Sequence, residues 1–476
     1  MSTETEKPIK TGGGFKTTVE KFFKLEENGT NIKTEVLAGI TTFMTMAYII
    51  VVNPDILVGV LPDEEKANMF KAFLFATVLV SSLMSIVMGI VSNNPYAVAP
   101  GMGLNAYIAY GLYSETLGYP QIFGAIVIAG AMLTIMSFTP ISRGVLKAIP
   151  KSLRFGLAAG IGLFLTLIGL ENAGVVVTGM SIINIPGLDP FMVGINITLG
   201  HVGLTMALFF IGLILTSILM IKKVPGAFLI SIVATTILGV IFSIGGLGKM
   251  IDSAFEGIVI EGIIEMPRTD TFFSLSFKGL LEPALIIPIF TLAFTDLFDS
   301  VSTFLGVSEV GGLLDENGDP KNFKRTLIAD SLTTLMSGFI GVSDATTYIE
   351  SAAGVEQGGR TGLTAVIAGL CFLPFMFFSP LLAAIPPYAT APVLVLLGVL
   401  MFKPLSSLDW SNYEEAIPAF LAATIIPFTY SITYGIVFSI IVYVLIKILL
   451  GKFKEINAWL WVTFVFALFA LLAPLF

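Results

Sequence analysis

The chain is poor in the residues on which soluble chemistry depends. Among 476 residues there is one cysteine, Cys371, and one histidine, His201. Cys371 sits in an apolar run, so an intrachain disulfide is excluded and redox chemistry has no second thiol. Charged residues make up 12% of the chain against 55% hydrophobic, with a mean hydropathy of +0.92. That balance lies outside soluble globular proteins. The net charge of −8 leaves no basic surface for a nucleic acid. No phosphate-binding loop is present either: "GGLGKM" (Gly245 to Met250) lacks the spacing and the Ser/Thr. The first thirty residues are polar and lack the apolar stretch of a cleaved signal, so they read as a cytosolic tail closed by a short amphipathic helix.

What the sequence does have is apolar runs, many long enough to cross about 30 Å of hydrocarbon as helices of roughly 20 residues. The reading is an all-α polytopic membrane protein. Spans are expected at 34–58, 70–91, a broken 95–113, 121–140, 153–170, 202–221 and 225–246. After a polar connector, 247–282, come 283–307, 327–342, a second broken segment at 343–358, then 361–379, 383–402, 415–430 and 432–450. These are fourteen elements, and 457–474 either spans or lies along the membrane. All 25 Lys and Arg are counted with the segments flanking the spans, Lys71, Arg154 and Lys447 among them at span ends. With the amino terminus cytosolic, 20 of them fall inside and 5 outside, as the positive-inside rule requires. The connector then faces outward and divides the chain into two seven-element halves of opposite orientation.

Both halves place an interrupted segment third. In the first it is "NNPYAVAPGMGLNAYIAYGL" (Asn93 to Leu112), where Pro95, Pro100, Gly101 and Gly103 forbid a regular helix before about Leu104. In the second it is "GVSDATTYIESAAGVEQGG" (Gly341 to Gly359), where Thr346 to Ile349 favour extended backbone and "SAAG" can open a helix. Matching interruptions in inverted repeats point to a mid-membrane site in secondary transporters.

Carboxylates stand beside these breaks. Asp296 and Asp299 lie three apart on one helical face of "FTLAFTDLFDS", and Glu350 lies where the second extended stretch meets its half-helix. Asn105 holds the comparable place in the first. With no basic residue read into any span, the acids are protonated, bind a cation, or accept hydrogen bonds from a ligand's N–H groups. Asp299 either serves this site or buttresses the broken segment. Asp330, Asp344 and Glu356 lie nearer span ends and read as solvated or capping groups. Phe290, Phe294 and Phe298, spaced by four, read as packing. Tyr348, two residues before Glu350 on extended backbone, reads as the aromatic contact for a flat ligand.

Several motifs in order, "EVLAGITTFMTMAYIIVVNPDIL", "APGMGLNAY", "FTDLFDS", "TTYIESAAGVEQGGRTGL" and "DWSNYEEAIPAFL", resemble the Azg-like purine permeases, a branch of the nucleobase–ascorbate transporter family. The likeness runs from about residue 20 to the carboxyl end. It implies fourteen segments in a 7+7 inverted repeat, the third and tenth being short strands followed by half-helices. A core domain would comprise 34–140 and 283–380, and a gate domain 141–246 and 381–450. The tail 1–33, the connector 247–282 and the segment 451–476 lie outside both. It implies proton-coupled uptake of adenine, guanine and hypoxanthine across the cytoplasmic membrane, with a proton as coupling ion, no cofactor, no metal, no catalytic residues and a homodimer. By position, its substrate residues fall on Glu350, Asp296, Asn105, Gly103 and Tyr348, with Asp299 supporting or relaying protons. One departure from the wider family is Ser351, which stands where that signature has asparagine after the tenth-segment acid. The first glycine, Gly354, comes one place late, which fits the Azg-like branch.

Other classes fit less well. An anion carrier of the same fold would keep few acids between its half-helices. A cation channel would ring acids along a continuous pore, and an intramembrane hydrolase would set an acid pair on facing helices. The glycosylation patterns at Asn28 and Asn196 read as chance matches.

Overall fold

The computed structural model describes residues 15–114, 117–139, 150–182, 193–199, 203–252, 257–260, 262–280, 283–316, 319–429 and 431–472. Of the basic residues counted above, Lys7, Lys10, Arg143 and Lys147 lie outside them, as does His201. The described chain is mostly helical. Eight of its helical stretches are long and apolar enough to cross a membrane, and Ala227–Ser243 and Gly362–Phe377 are shorter apolar helices.

The amino-terminal tail does end in a short helix, α1 (Phe15–Phe22). The first span is two helices, α2 (Ile32–Met46) and α3 (Ile49–Val58), with the break at Ala47 and Tyr48. Asn31 caps α2 by accepting the Thr34 N–H at 3.1 Å. Helix α4 (Asp63–Ser92) opens on Asp63, Glu64 and Glu65, which suit the positive helix end, and stops where Asn93 turns left-handed at φ 53°. The first interrupted segment is strand β1 (Val98–Pro100), helix α5 (Met102–Ala106) and a π-helical continuation, Tyr107–Leu112. Helix resumes at Met102, two residues before the point expected, because Gly103 is accommodated within the first turn.

Then follow α6 (Tyr119–Phe138), α7 (Lys151–Asn172), strands β2 (Val176–Ile182) and β3 (Val193–Leu199), α8 (Leu204–Ile221), α9 (Ala227–Ser243) and α10 (Leu247–Ile251). The β2–β3 antiparallel pair was not anticipated between 170 and 202. The second half holds α11 (Pro283–Gly311), α12 (Phe323–Ile340), β4 (Ala345–Thr347), α13 (Ser351–Glu356), α14 (Gly362–Phe372), α15 (Ser379–Ala383), α16 (Pro387–Phe402), α17 (Tyr413–Thr429), α18 (Ile432–Leu449) and α19 (Ala458–Leu472).

Strands β1 and β4 pair antiparallel, Val98 opposite Thr347, Ala99 opposite Thr346 and Pro100 opposite Ala345. The ladder is extended by the Tyr348 N–H to the Ala97 carbonyl at 3.0 Å and the Gly101 N–H to the Asp344 carbonyl at 2.8 Å. A ribbon this short is not stable alone. It persists because all six strand residues are buried, so their polar backbone must pair there.

Helices α3, α4, α11 and α12 pack on the ribbon, and α2, α6, α13 and α14 pack in turn on these helices or on one another. A second set of contacts joins α7 to α16 and α17, α8 to α9 and α16, and α17 to α18. Gly156 of α7 lies against the Ala419 backbone and Gly162 against Gly398, so these helices meet at backbone distance. Helix α19 packs on α18.

Basic residues do enter helices, contrary to the sequence reading. Arg154 lies in α7, and Lys447 lies in the last turn of α18, 3% exposed. Lys447 is held by Glu414 at 2.9 Å and Glu455 at 2.7 Å, which is how a charge so placed is tolerated.

Candidate functional site

The site forms where the two interruptions meet. Because β1 and β4 lie side by side and run in opposite directions, α5 leaves the ribbon at the end marked by Pro100 and Ala345 and α13 at the end marked by Val98 and Thr347, and the carboxylates of α11 and α12 stand beside the strands. Asn105, Asp296, Asp330 and Asp344 are each at most 2% exposed, whereas Asp299 and Glu350 are half-buried. Asp330 and Asp344 were expected near solvent. Pairing of β4 with β1 draws Asp344 into the protein, and Asp330 is tied to β4 by the Thr347 hydroxyl, which donates to its Oδ1 at 3.0 Å.

Asp296 sits on α11 facing α12. The Thr334 hydroxyl donates to Asp296 Oδ2 at 2.5 Å and is also 3.1 Å from the Ala345 carbonyl. One hydroxyl proton thus lies among two acceptors. A proton on Asp296 would resolve this by donating to Thr334, leaving Thr334 to donate to Ala345. The other oxygen, Asp296 Oδ1, is buried and has no partner. Asp299, one turn on, lies within electrostatic reach of Glu350 and Asp344.

Glu350 occupies the position before α13, in helical backbone at φ −59° and ψ −19°. Its Oε1 accepts the Tyr48 hydroxyl at 2.6 Å. The strand ends at Thr347, so the alternation expected to put Tyr348 and Glu350 on one side does not extend to Glu350. The Tyr348 hydroxyl donates to the Pro100 carbonyl, leaving its ring as the group available for contact.

Asn105, in the first turn after Gly101, donates from Nδ2 to Asn53 Oδ1 at 2.9 Å. Asn53 also accepts from the Ser343 hydroxyl at 3.2 Å and donates to Thr77 Oγ1 at 2.8 Å. The Asn105 amide is thereby oriented, with its Oδ1 buried and without a donor. Gly103 does not open onto this network: a Cβ there would lie 2.8 Å from Ile161 Cγ2 on α7. Tyr48, Asn53 and Ser343 were not picked out by sequence reasoning. The signal was available for two of them, a phenol and an amide inside the apolar run 34–58.

Among the described residues, none of Asp296, Asp299, Asp330, Asp344 and Glu350 is ion-paired with Lys or Arg, and no group of three or more His, Cys, Asp or Glu could hold a metal ion. Phe290 and Phe294 stack at 5.2 Å and line a small gap against Ile436, Val437, Ile440 and Thr463, which is packing. The Phe298 side chain lies outside the described residues. A cavity of about 590 Å³ between α7 and α16, bounded by Leu163, Val399, Phe402 and Trp410, shares no residue with the junction.

A helical membrane body with two paired strands, each opening a half-helix among unpaired carboxylates, defines a carrier of the broken-helix class. A model of the Permease family matches residues 33–438. The adenine permease AdeQ of Escherichia coli is 37% identical over 95% of this chain and 96% of its own. The guanine/hypoxanthine permease PbuO of Bacillus subtilis is 36% identical over 91% and 96%. The chain belongs to this nucleobase permease family, and is therefore a membrane transporter and not an enzyme. Among solved structures, the transmembrane domain of the cyanobacterial bicarbonate transporter BicA superimposes with a TM-score of 0.59 at 14% identity, covering 92% of this chain and 97% of that one. That likeness carries the fold alone.

Proposed function

We propose that the protein takes up purine bases (adenine, guanine or hypoxanthine) across the cytoplasmic membrane in symport with protons. The observation that carries this reading is the set of buried acceptors without counter-ions at the crossing of β1 and β4. A purine is flat and neutral and presents adjacent N–H donors. Glu350 and Asp296 accept such donors from two sides, Asn105 Oδ1 takes a further N–H, and the Tyr348 ring covers a face. Asp299 supports or relays protons. The single hydroxyl shared by Asp296 and Ala345 supports a proton on Asp296. The adenine and guanine/hypoxanthine permeases named above support purines over other solutes. An anion carrier on the same fold lacks support, since the described junction offers carboxylates and no cation.

The fold reading is fourteen segments in a 7+7 inverted repeat, with the amino terminus cytosolic. The grouping of contacts supports a core of 34–140 with 283–380 and a gate of 141–246 with 381–450, the core sliding against the gate in an elevator cycle within a homodimer. Binding base and proton together removes charge from the cavity and frees the core to move. The test is uptake of radiolabelled hypoxanthine and adenine by Glu350→Gln and Asp296→Asn variants that reach the membrane. Transport is expected to be lost in both; wild-type rates in both would refute the site.

A further inference from the structure

We infer that Asp344 is a proton-binding group of the transport cycle, distinct from the carboxylates that grip the base. The inference rests on the proton-symport reading above and adds a site to it. Asp344 is 1% exposed, and neither carboxylate oxygen has a hydrogen-bond donor beyond its own backbone N–H. Nearly every other acid at the junction has at least one donated bond: Thr334 serves Asp296, Thr347 serves Asp330 and Tyr48 serves Glu350. A bare carboxylate in such a place is costly, and a proton is the smallest occupant that relieves it.

The neighbours sharpen the case. Asp299 and Asp296 from α11, Asp330 from α12 and Tyr348 from the end of β4 all lie within electrostatic reach of Asp344. Every one of these is acidic or neutral, so ionising any carboxyl disfavours ionising Asp344. Its position links this group to both interruptions. The Asp344 carbonyl accepts the Gly101 N–H at 2.8 Å, and its Oδ2 lies 3.6 Å from the place a Cβ on Gly101 would occupy. Gly101 immediately precedes α5, and Ala345 opens β4. A proton gained or lost at Asp344 therefore changes the charge at the seam on which Asn105 and Glu350 are both mounted.

The experiment uses the purified full chain in proteoliposomes, comparing wild type with Asp344→Asn, Asp344→Thr and Asp344→Glu. Two quantities are read: equilibrium binding of hypoxanthine or adenine, and steady-state accumulation of the base under an imposed pH gradient. Each coupled proton supports about tenfold accumulation per pH unit. Removing one lowers accumulation about tenfold at one unit of ΔpH in both neutral variants. Base binding stays within about threefold of wild type, roughly 0.65 kcal/mol. Asp344→Glu, which keeps a titratable carboxyl, retains the coupling.

Wild-type accumulation by Asp344→Asn overturns the inference while leaving the symport reading intact. Loss of base binding in both neutral variants assigns Asp344 to the scaffold and likewise overturns it. A wild-type protein that equilibrates purines without responding to ΔpH defeats the symport reading itself, and this inference with it.

Discussion

Tyr48 donates its hydroxyl to Glu350 Oε1 at 2.6 Å, across 302 positions of sequence. The contact joins the break in the first span to the start of the second half-helix, and its far side packs edge-on against Phe228 of α9, ring centroids 5.1 Å apart. One phenol thus sets the rotamer of the acid assigned to the base and touches a helix of the other bundle.

Removing that hydroxyl leaves Glu350 with the same charge and one donor fewer. A hydrogen bond to a charged group is worth about 1.5–3 kcal/mol, so Tyr48→Phe should raise the KM for the base about tenfold or more. The ring contact with Phe228 is unchanged, so the amount of protein in the membrane should not fall. Initial-rate uptake against base concentration checks this. An unaltered KM would separate Tyr48 from recognition.

Gly103 makes a different prediction. A methyl group there meets Ile161 of α7, on the other side of the seam proposed to slide. Overpacking costs about 1–3 kcal/mol, and here it falls on movement rather than on binding. Gly103→Ala should bind base nearly as wild type and transport it at least about tenfold more slowly, on the scale of 1.4 kcal/mol. Ile161→Ala in the same chain should restore the rate. Binding that fails and is not rescued would return Gly103 to the base-contact role.

Glu35 tests stability apart from transport. Its carboxylate, fully buried, accepts from the Arg360 N–H at 2.9 Å, the Thr361 hydroxyl at 2.8 Å, and the Thr364 N–H and hydroxyl at 3.1 and 2.7 Å. These groups surround the first turn of α14, so Glu35 of α2 caps a helix that is not its own. Glu35→Gln puts an amide NH₂ where acceptors are needed. It should lower the unfolding free energy by about 1–3 kcal/mol, read as a fall in melting temperature of the detergent-purified protein. Base affinity should stay unchanged in the fraction that remains folded. An unshifted melting temperature would contradict the capping role.

The sequence made much of this legible for a simple reason. An acid or amide inside an apolar run is visible without a structure, so Asp296, Asp299, Glu350 and Asn105 could be marked from residue type alone. The two breaks were visible because Pro95, Pro100, Gly101 and the Thr346–Thr347 pair disfavour helix locally. What could not be read was pairing between distant segments. Asp344 follows α12 closely and looks like an end residue until β4 pairs with β1 and buries it. Tyr48 looks like an ordinary aromatic of a span until Glu350 arrives. Strands β2 and β3 were passed over although "GVVVTGM" (Gly174 to Met180) carries three successive valines suited to extended chain. Lys447 was counted with the flanking segment although it falls within 432–450, and the acidic partners that let it stay in the helix, Glu414, Glu415 and Glu455, come from other segments.

The most direct test is an experimental structure of the full-length protein in lipid with hypoxanthine or adenine bound. Density for the base is expected between the starts of α5 and α13, within hydrogen-bond distance of Glu350 and of Asn105 Oδ1, with Asp296 on its other side. A base seated elsewhere, such as the apolar cavity beside Leu163 and Trp410, with the junction carboxylates making no contact to it, would contradict the account.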